Sequence, residues 1–172
     1  VCRYLGTLRE KLIGDDPMRI AHLWQKLYMG GTRKPVAKGE FIPVISAADN
    51  ALWDLKGKLL DQPVYRMLGG PVRAAVKCYA TSDDLDWSIE LGFEEFKVSN
   101  PVHYDAGING LTHLENKISQ ARETVGNDAE LAFNPVMGFN VDFTVRLAER
   151  LRQFDLRWLE EPLPPWDLEG QA

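Results

Sequence analysis

The sequence predicts an α/β protein in which a helical part precedes a part built from alternating strands and helices. Two observations predict this arrangement. Apolar residues recur at helical spacing as far as Gly70, and from Val72 onward short strand-like runs alternate with amphipathic helices. Strands that are separated by helices run parallel and are connected by right-handed crossovers. We therefore expect two domains, residues 1–70 and residues 71–172.

Helices account for the first of these parts. The spacing predicts helices over residues 1–13, after Asp16, after Ser46 and over residues 63–68. Asp16 is expected to cap the second helix because Pro17 follows it, and proline is tolerated in a first turn, where its missing N–H costs nothing. Ser46 is expected to cap the third helix. One face of that helix is expected to carry Ala48, Ala51, Leu52, Leu55 and Leu59.

Four strands are expected in the second part of the chain. They are Ala75–Thr81, Phe93–Ser99, Ala129–Pro135 and Leu156–Leu163. The helix between the third and fourth strands is expected to be capped by Asn140 and to carry Leu147, Ala148, Leu151 and Phe154 on one face. Such a series belongs either to an open doubly wound sheet or to part of a barrel. The Gly-x-Gly-x-x-Gly fingerprint is missing after the first strand, which disfavours a dinucleotide-binding sheet. A barrel of parallel strands needs about 250 residues and eight strands, so a barrel implies that this chain is a piece of a longer protein.

The charge balance and hydropathy of the sequence argue against two classes of protein, those that bind nucleic acid and those that cross a membrane. The net charge is −5 and the isoelectric point is about 5.2, which argues against a general nucleic-acid-binding surface. No apolar run approaches the roughly 18 residues that cross a bilayer, and no signal-peptide pattern is present. We expect a cytoplasmic protein that binds neither nucleic acid nor membrane.

Polar residues stand at the carboxyl ends of three expected strands, which is where α/β barrels carry their active sites. They are Lys97, Asn134 and Glu160. Oxygen ligands from successive strands suit a hard cation such as Mg²⁺. The lysine could act as a base with a lowered pKa or as a cation that stabilises an oxyanion. His103 lies in the following loop, where it either reaches a substrate or is solvated.

Several segments resemble the mandelate racemase and muconate lactonizing enzyme branch of the enolase superfamily. They are SAADNALWDLKGKLLDQPVYRMLGG (46–70), CYAT (78–81), GFEEFKVS (92–99) and RWLEEPLPPWDLEG (157–170). Within that branch the chain most resembles the L-rhamnonate dehydratases and related acid-sugar dehydratases. The resemblance implies the first half, about four strands, of a (β/α)₈ TIM-type barrel, preceded by the helical part of an α+β capping domain. It also implies a homo-oligomer.

The resemblance further implies a Mg²⁺-dependent dehydration. Enolase-superfamily sites combine a Lys or His base with Mg²⁺, which stabilises an enediolate. Loss of the β-hydroxyl then turns a sugar acid, such as rhamnonate, into a 2-keto-3-deoxy acid. The implied site residues are Asn134 and Glu160 as metal ligands, Glu161 as their support, Lys97 as a catalytic residue, and Arg33 and His103 as substrate-binding residues. Arginine suits a carboxylate because its guanidinium binds it bidentately.

Two departures from the family pattern leave alternatives open. Asn134 stands where an aspartate is usual, so the metal would meet less negative charge. Ser99 replaces the second lysine of the Lys-x-Lys pair, which disfavours racemisation because racemisation needs a base on each face of the substrate. The alternatives are a catalytically impaired homologue that binds a sugar acid, and a racemase or epimerase of the same superfamily. We expect the 172-residue chain to be inactive by itself.

Overall fold

The computed structural model describes residues 4–30, 39 and 41–172. The chain divides into two compact units, Val1–Val76 and Lys77–Ala172. Across the described residues, no helix combines the length and the apolar character that crossing a lipid bilayer requires.

Four helices make up the described part of the first unit. They are α1 (Leu5–Leu12), α2 (Ile20–Met29), α3 (Phe41–Leu60) and α4 (Val64–Met67). The core contains Leu8 of α1, Leu27 of α2, and Val44 and Ile45 of α3. Gly30 ends α2 in the left-handed conformation, and its N–H donates to the carbonyl of Lys26 at 3.0 Å. Such a glycine C-cap is common because glycine has no Cβ to clash there.

Two predicted helix starts in this unit are wrong. Asp16 does not cap α2, because its carboxylate accepts the N–H of Met18 at 2.9 Å and closes a turn before the helix begins at Ile20. Ser46 lies inside α3, where its hydroxyl donates back to the carbonyl of Ile42 at 3.1 Å. That bond satisfies the hydroxyl within the helix and leaves no reason for the helix to begin at Ser46.

The predicted apolar stripe of α3 is also largely wrong. Leu55 and Leu59 are exposed, and the buried positions of α3 are Val44, Ile45 and Gly57. At Gly57 a Cβ would lie 2.8 Å from the carbonyl oxygen of Gln62, so the chain after α3 folds back closely over this position.

The second unit is an α/β structure with a parallel sheet, as the sequence predicts. Its elements are β1 (Ala80–Thr81), α5 (Leu85–Glu90), β2 (Glu95–Ser99), α6 (Gly107–Val125), β3 (Glu130–Asn134) and α7 (Val141–Leu151). The strands are ordered β1-β2-β3 and are all parallel. Short 3₁₀ helices, Tyr104–Ala106 and Arg152–Phe154, precede α6 and follow α7.

The strands are shorter than predicted. In β1 only two residues pair with β2, and residues 75–79 are exposed instead of joining the strand. The fourth predicted strand, Leu156–Leu163, is present as a single bridge between Phe133 and Leu159. Three backbone hydrogen bonds nevertheless hold this segment along β3, and one of them runs from the N–H of Glu160 to the carbonyl of Phe133 at 2.9 Å. Glu160 therefore lies beside the end of β3.

Apolar side chains from the sheet and from α6 and α7 form the core of this unit. Phe96, Leu114, Leu131, Phe133 and Leu147 are among its fully buried members. The predicted cap of α7 is confirmed, because the side chain of Asn140 accepts the N–H of Phe143 at 2.9 Å.

One buried cation also belongs to this unit. Arg122 of α6 is 8% exposed and its guanidinium donates to four backbone carbonyl groups. The acceptors are Gly126 at 3.0 Å, Ala129 at 2.6 Å, Phe154 at 3.0 Å and Asp155 at 3.0 Å. The side chain thereby joins the end of α6 to the segments that precede β3 and follow α7.

A candidate active site at the carboxyl edge of the sheet

A partly buried ion pair lies at the carboxyl edge of the sheet. The Lys97 ammonium donates to both carboxylate oxygens of Glu160, with Nζ–Oε1 and Nζ–Oε2 distances of 2.6 and 2.8 Å. The Lys97 side chain is 8% exposed and that of Glu160 is 28% exposed. Because few waters reach the pair, its attraction is stronger than that of a surface salt bridge.

The pairing shifts the pKa values of both groups in the direction that favours their charged forms. The hydrogen bond to Glu160 raises the pKa of the Lys97 ammonium above its ordinary value, and this outweighs the opposing effect of burial. Hydrogen bonds from Lys97 and then Trp158 lower the pKa of the Glu160 carboxyl. Near neutral pH the lysine is therefore a cation and the glutamate an anion, so in this arrangement Lys97 is a charged donor and not a free base.

Asn134 completes the group that the sequence predicts at the strand ends. It is the last residue of β3 and pairs in register with Ser99 of β2. Its Nδ2 donates to Oε1 of Glu160 at 3.0 Å, and its Oδ1 accepts the N–H of Val136 at 2.8 Å. Lys97, Asn134 and Glu160 thus come together, as expected for residues at the carboxyl ends of adjacent parallel strands.

Two aromatic residues that were not among the predicted site residues join this group. Trp158 donates its indole Nε1–H to Oε2 of Glu160 at 2.9 Å. The Tyr79 hydroxyl accepts from Lys97 Nζ at 3.4 Å, and Nζ lies 5.1 Å from the Tyr79 ring centroid. The alternation that places Trp158 on the same face as Glu160 could have revealed the first contact. The second joins Lys97 to a residue that lies just before β1 and outside the strands, which no sequence pattern indicates.

The oxygen donors of this group are of the kind that a divalent cation binds. Glu160 offers carboxylate oxygens and Asn134 an amide oxygen, and oxygen donors are the kind that Mg²⁺ takes together with several waters. An amide oxygen has a second lone pair, so the bond from Val136 does not exhaust it. Within the described ranges, no three His, Cys, Asp or Glu side chains group closely enough to hold a metal ion. The two residues therefore offer the kind of ligand atom that Mg²⁺ prefers, and they would supply part of its coordination shell.

A second charged group occupies the end of β2. Asp83 accepts the Ser99 N–H at 2.9 Å and also the Ser99 hydroxyl. Lys117 of α6 donates to Asp83 at 3.0 Å and to the Ser99 carbonyl at 2.7 Å. Burial raises the pKa of the Asp83 carboxyl, but the hydrogen bonds from Ser99 and Lys117 outweigh it and the net pKa is lowered. The Ser99 hydroxyl is thus engaged by Asp83.

Two other predicted site residues, His103 and Glu161, lie outside the Lys97 group. His103 is 55% exposed, and its Nδ1 lies 3.1 Å from a carboxylate oxygen of Asp105. Glu161 is exposed with a φ of 48°, and its contact with the neighbouring loop is through its backbone carbonyl. Arg33 lies outside the described residues.

Backbone hydrogen bonds connect the three loops that follow β2, β3 and the Leu159 bridge. The Tyr104 N–H donates to Gly138 at 3.2 Å, which joins the first loop to the second. The Met137 N–H donates to Glu161 at 2.7 Å, and the Phe139 N–H donates to Pro162 at 3.1 Å, which join the second loop to the third.

Within the second loop, Val136 and Met137 have φ values of 53° and 57°. A β-branched residue such as Val136 rarely adopts this left-handed region, so these bonds hold a strained loop directly after Asn134.

Comparison with known proteins gives consistent matches along the chain. Residues 3–69 match the mandelate racemase/muconate lactonizing enzyme N-terminal domain, and residues 82–172 match the enolase C-terminal domain-like family. L-rhamnonate dehydratase of Saccharopolyspora erythraea is 38% identical over 157 residues, which are 91% of this chain and 40% of that enzyme. The chain thus spans about two fifths of this relative's length.

Solved structures agree with the sequence matches. Rhamnonate dehydratase from Gibberella zeae complexed with Mg superposes with a TM-score of 0.84 at 33% identity, covering 97% of this chain and 41% of that one. A racemase from Streptomyces coelicolor A3(2) with bound magnesium superposes with a TM-score of 0.78 at 32% identity, covering 96% of this chain and 47% of the other.

Proposed function

This chain belongs to the mandelate racemase and muconate lactonizing enzyme family of the enolase superfamily, and from that premise we propose that it is part of a Mg²⁺-dependent sugar-acid dehydratase. We further propose that residues 71–172 form the first half of a (β/α)₈ barrel and that residues 1–70 form the helical part of its capping domain. The parallel order of β1, β2 and β3 and the likeness to the Gibberella zeae enzyme support the barrel. That the protein forms a homo-oligomer remains a prediction from the family resemblance.

The observation that carries the proposed activity is the convergence of a cation, a carboxylate and an amide at one edge of a parallel sheet. Glu160 accepts hydrogen bonds from both Lys97 and Asn134 and so joins the three residues. In this class of chemistry a proton is removed from the carbon next to a carboxylate, and that proton is so weakly acidic that the developing negative charge needs positive charge beside it.

The residues of this chain would contribute charge and position. Asn134 and Glu160 would hold Mg²⁺, which when bound supplies positive charge to the substrate carboxylate. Lys97, kept protonated by Glu160, would direct its ammonium at the oxygen that gains charge when the α-proton leaves. We assign the base to a residue of the full-length protein outside this chain.

The substrate class follows from the relatives. The names of the Saccharopolyspora and Gibberella enzymes indicate rhamnonate, so we propose an aldonate of that kind. The α-carbon loses its proton, the bond from the β-carbon to its hydroxyl breaks, and water leaves. The resulting enol becomes a 2-keto-3-deoxy acid. In the family's cap loop, Arg33 would meet the substrate carboxylate; His103 would contact the sugar chain, and Glu161 would support Glu160 from the third loop.

A substrate panel tests this proposal. The intact protein is incubated with aldonic acids and Mg²⁺, and keto-acid formation is followed with semicarbazide. We expect turnover of at least one aldonate. In Lys97→Met we expect the rate of keto-acid formation to fall by about 100-fold or more. Lys58→Met is the matched control, because Lys58 forms an exposed pair with Asp54 on α3. Absence of keto acid from every aldonate would refute the proposal.

An impaired homologue is a second candidate, and Asn134 is the observation that favours it. The amide nitrogen of Asn134, and not its oxygen, faces Glu160, and Lys97 already neutralises that carboxylate. Such a protein would bind a sugar acid without converting it. A racemase is less favoured, although a structural neighbour is one, because Ser99 is held by Asp83 where a second lysine would supply the other base.

A further inference from the structure

Ser99 ends β2 on the face of the sheet from which Lys97 projects. Residues two apart in a strand point to the same face, which places the side chains of Lys97 and Ser99 side by side. Ser99 is also the register partner of Asn134, the last residue of β3. It is exposed, although the three residues before it in β2 are buried. The hydroxyl of Ser99 is therefore open to a substrate that lies against the Lys97 group.

This hydroxyl can make a further hydrogen bond in one direction only. A serine hydroxyl has one hydrogen to donate and two lone pairs that accept. Its hydrogen is donated to Oδ2 of Asp83, whose Oδ1 accepts the Ser99 N–H at 2.9 Å. Lys117 Nζ lies 3.5 Å from the hydroxyl oxygen, and its shorter contacts are with the Ser99 carbonyl and with Asp83. Ser99 can therefore accept from a substrate but cannot donate to it.

The ion pair between Asp83 and Lys117 keeps this direction fixed. Lys117 Nζ lies 3.0 Å from Asp83 Oδ1, and this cation favours the ionised carboxylate. An ionised carboxylate only accepts hydrogen bonds, so the hydrogen between Asp83 and Ser99 belongs to Ser99. A hydroxyl that donates to a carboxylate is polarised by it, which makes the hydroxyl oxygen a stronger acceptor.

From this arrangement we propose that Ser99 is a specificity-determining residue whose oxygen accepts a hydrogen bond from one hydroxyl group of the sugar-acid substrate. A carboxylate or carbonyl oxygen has no hydrogen to donate, and its lone pairs would face those of Ser99. The end of β2 thereby selects a substrate that carries a hydroxyl at this point. The inference rests on the proposed function, because it takes the Lys97 group as the active site.

Analogues that each lack one hydroxyl group test this inference. The probes are the aldonate that the intact protein converts fastest and the series in which one of its hydroxyls at a time is replaced by hydrogen. Each analogue competes with the parent aldonate, and its inhibition constant is compared with the KM of the parent. We expect one hydroxyl whose removal weakens wild-type binding by about tenfold but weakens Ser99→Ala binding by less than about twofold. A merely structural role of Ser99 would weaken every analogue alike.

Asp83→Asn tests the direction of the hydrogen bond. The new amide oxygen would keep the Ser99 N–H and Lys117, which places the amide NH₂ against the Ser99 hydroxyl. The hydroxyl would then accept from position 83 and turn its hydrogen towards the substrate. We expect the advantage of the same substrate hydroxyl to fall by about fivefold or more. Unchanged discrimination in Asp83→Asn would overturn the inference.

Controls separate the possible failures. Ser119→Ala is the serine control, because Ser119 of α6 donates to Glu123 of the same helix, and it should match the wild type for every analogue. If the wild type converts no aldonate, the proposed function fails and this inference falls with it. If the wild type converts an aldonate but each missing hydroxyl costs Ser99→Ala as much as it costs the wild type, the inference alone is overturned. Either variant decides the question if the other does not fold.

Discussion

Replacing Arg122 is expected to be among the most damaging single changes in the second unit. Its guanidinium donates to four backbone carbonyls and is almost fully buried. A hydrogen bond from a charged donor contributes about 1.5–3 kcal/mol. Removing the side chain also removes the cost of burying its charge and lets water reach some carbonyls. We therefore expect Arg122→Met to lower the free energy of unfolding by about 3–5 kcal/mol, less than the four bonds taken separately.

Urea unfolding of the intact protein measures the loss, and hydrogen exchange locates it. Exchange should accelerate most in the segments that carry the four carbonyls, residues 126–129 and 154–155. Arg122→Lys keeps the charge, but one ammonium cannot serve four spread acceptors, so it should also lose about 2 kcal/mol or more. Arg146→Gln is the control, since Arg146 only pairs with exposed Asp142 and should matter by less than about 0.5 kcal/mol. An Arg122→Lys variant as stable as that control would refute the reasoning.

Three further predictions concern the metal, pH and the chain itself. Asn134→Asp adds a carboxylate beside Glu160 and should lower the Kd for Mg²⁺ by about tenfold, as measured by calorimetry. Equal affinities of the variant and the wild type would show that the amide does not weaken metal binding. The pKa of Asp83 is lowered from its ordinary 3.8, so its contribution to stability is present above that pH and is lost as the pH falls below it. Melting temperatures of wild type and Asp83→Asn should therefore differ at pH 6 and converge towards pH 3, and a constant difference would contradict the assignment. The 172-residue chain alone should form no keto acid from any aldonate, because its Lys97 group supplies only two proposed metal ligands. Measurable turnover by this chain would contradict the prediction.

The sequence predicts structure best where the determining contacts are local. The Asn140 cap of α7 is present, and Leu147 and Leu151 of its predicted stripe are buried, whereas Ala148 is exposed. The convergence of Lys97, Asn134 and Glu160 was also predictable, because parallel strands bring their carboxyl ends to one edge. This rule requires only the strand order, not the details of packing.

Prediction fails where distant residues decide the outcome. Ser46 has the composition of a cap, yet α3 begins at Phe41 and passes through it. The approach of Tyr79 to Lys97 joins a residue just before β1 to one in β2, 18 positions further along the chain. Such contacts depend on which side chains lie over the face of the sheet, and no periodicity in the sequence encodes that.

The backbone bonds between the three loops bear on how this site can change by mutation. Because Met137 and Phe139 of the second loop donate to the third loop, and Tyr104 of the first donates to the second, an insertion in one loop would break bonds in its neighbour. Exchange of side chains leaves those bonds intact. A family member with such a frame would acquire a new substrate by substitution on the loops, with their lengths preserved.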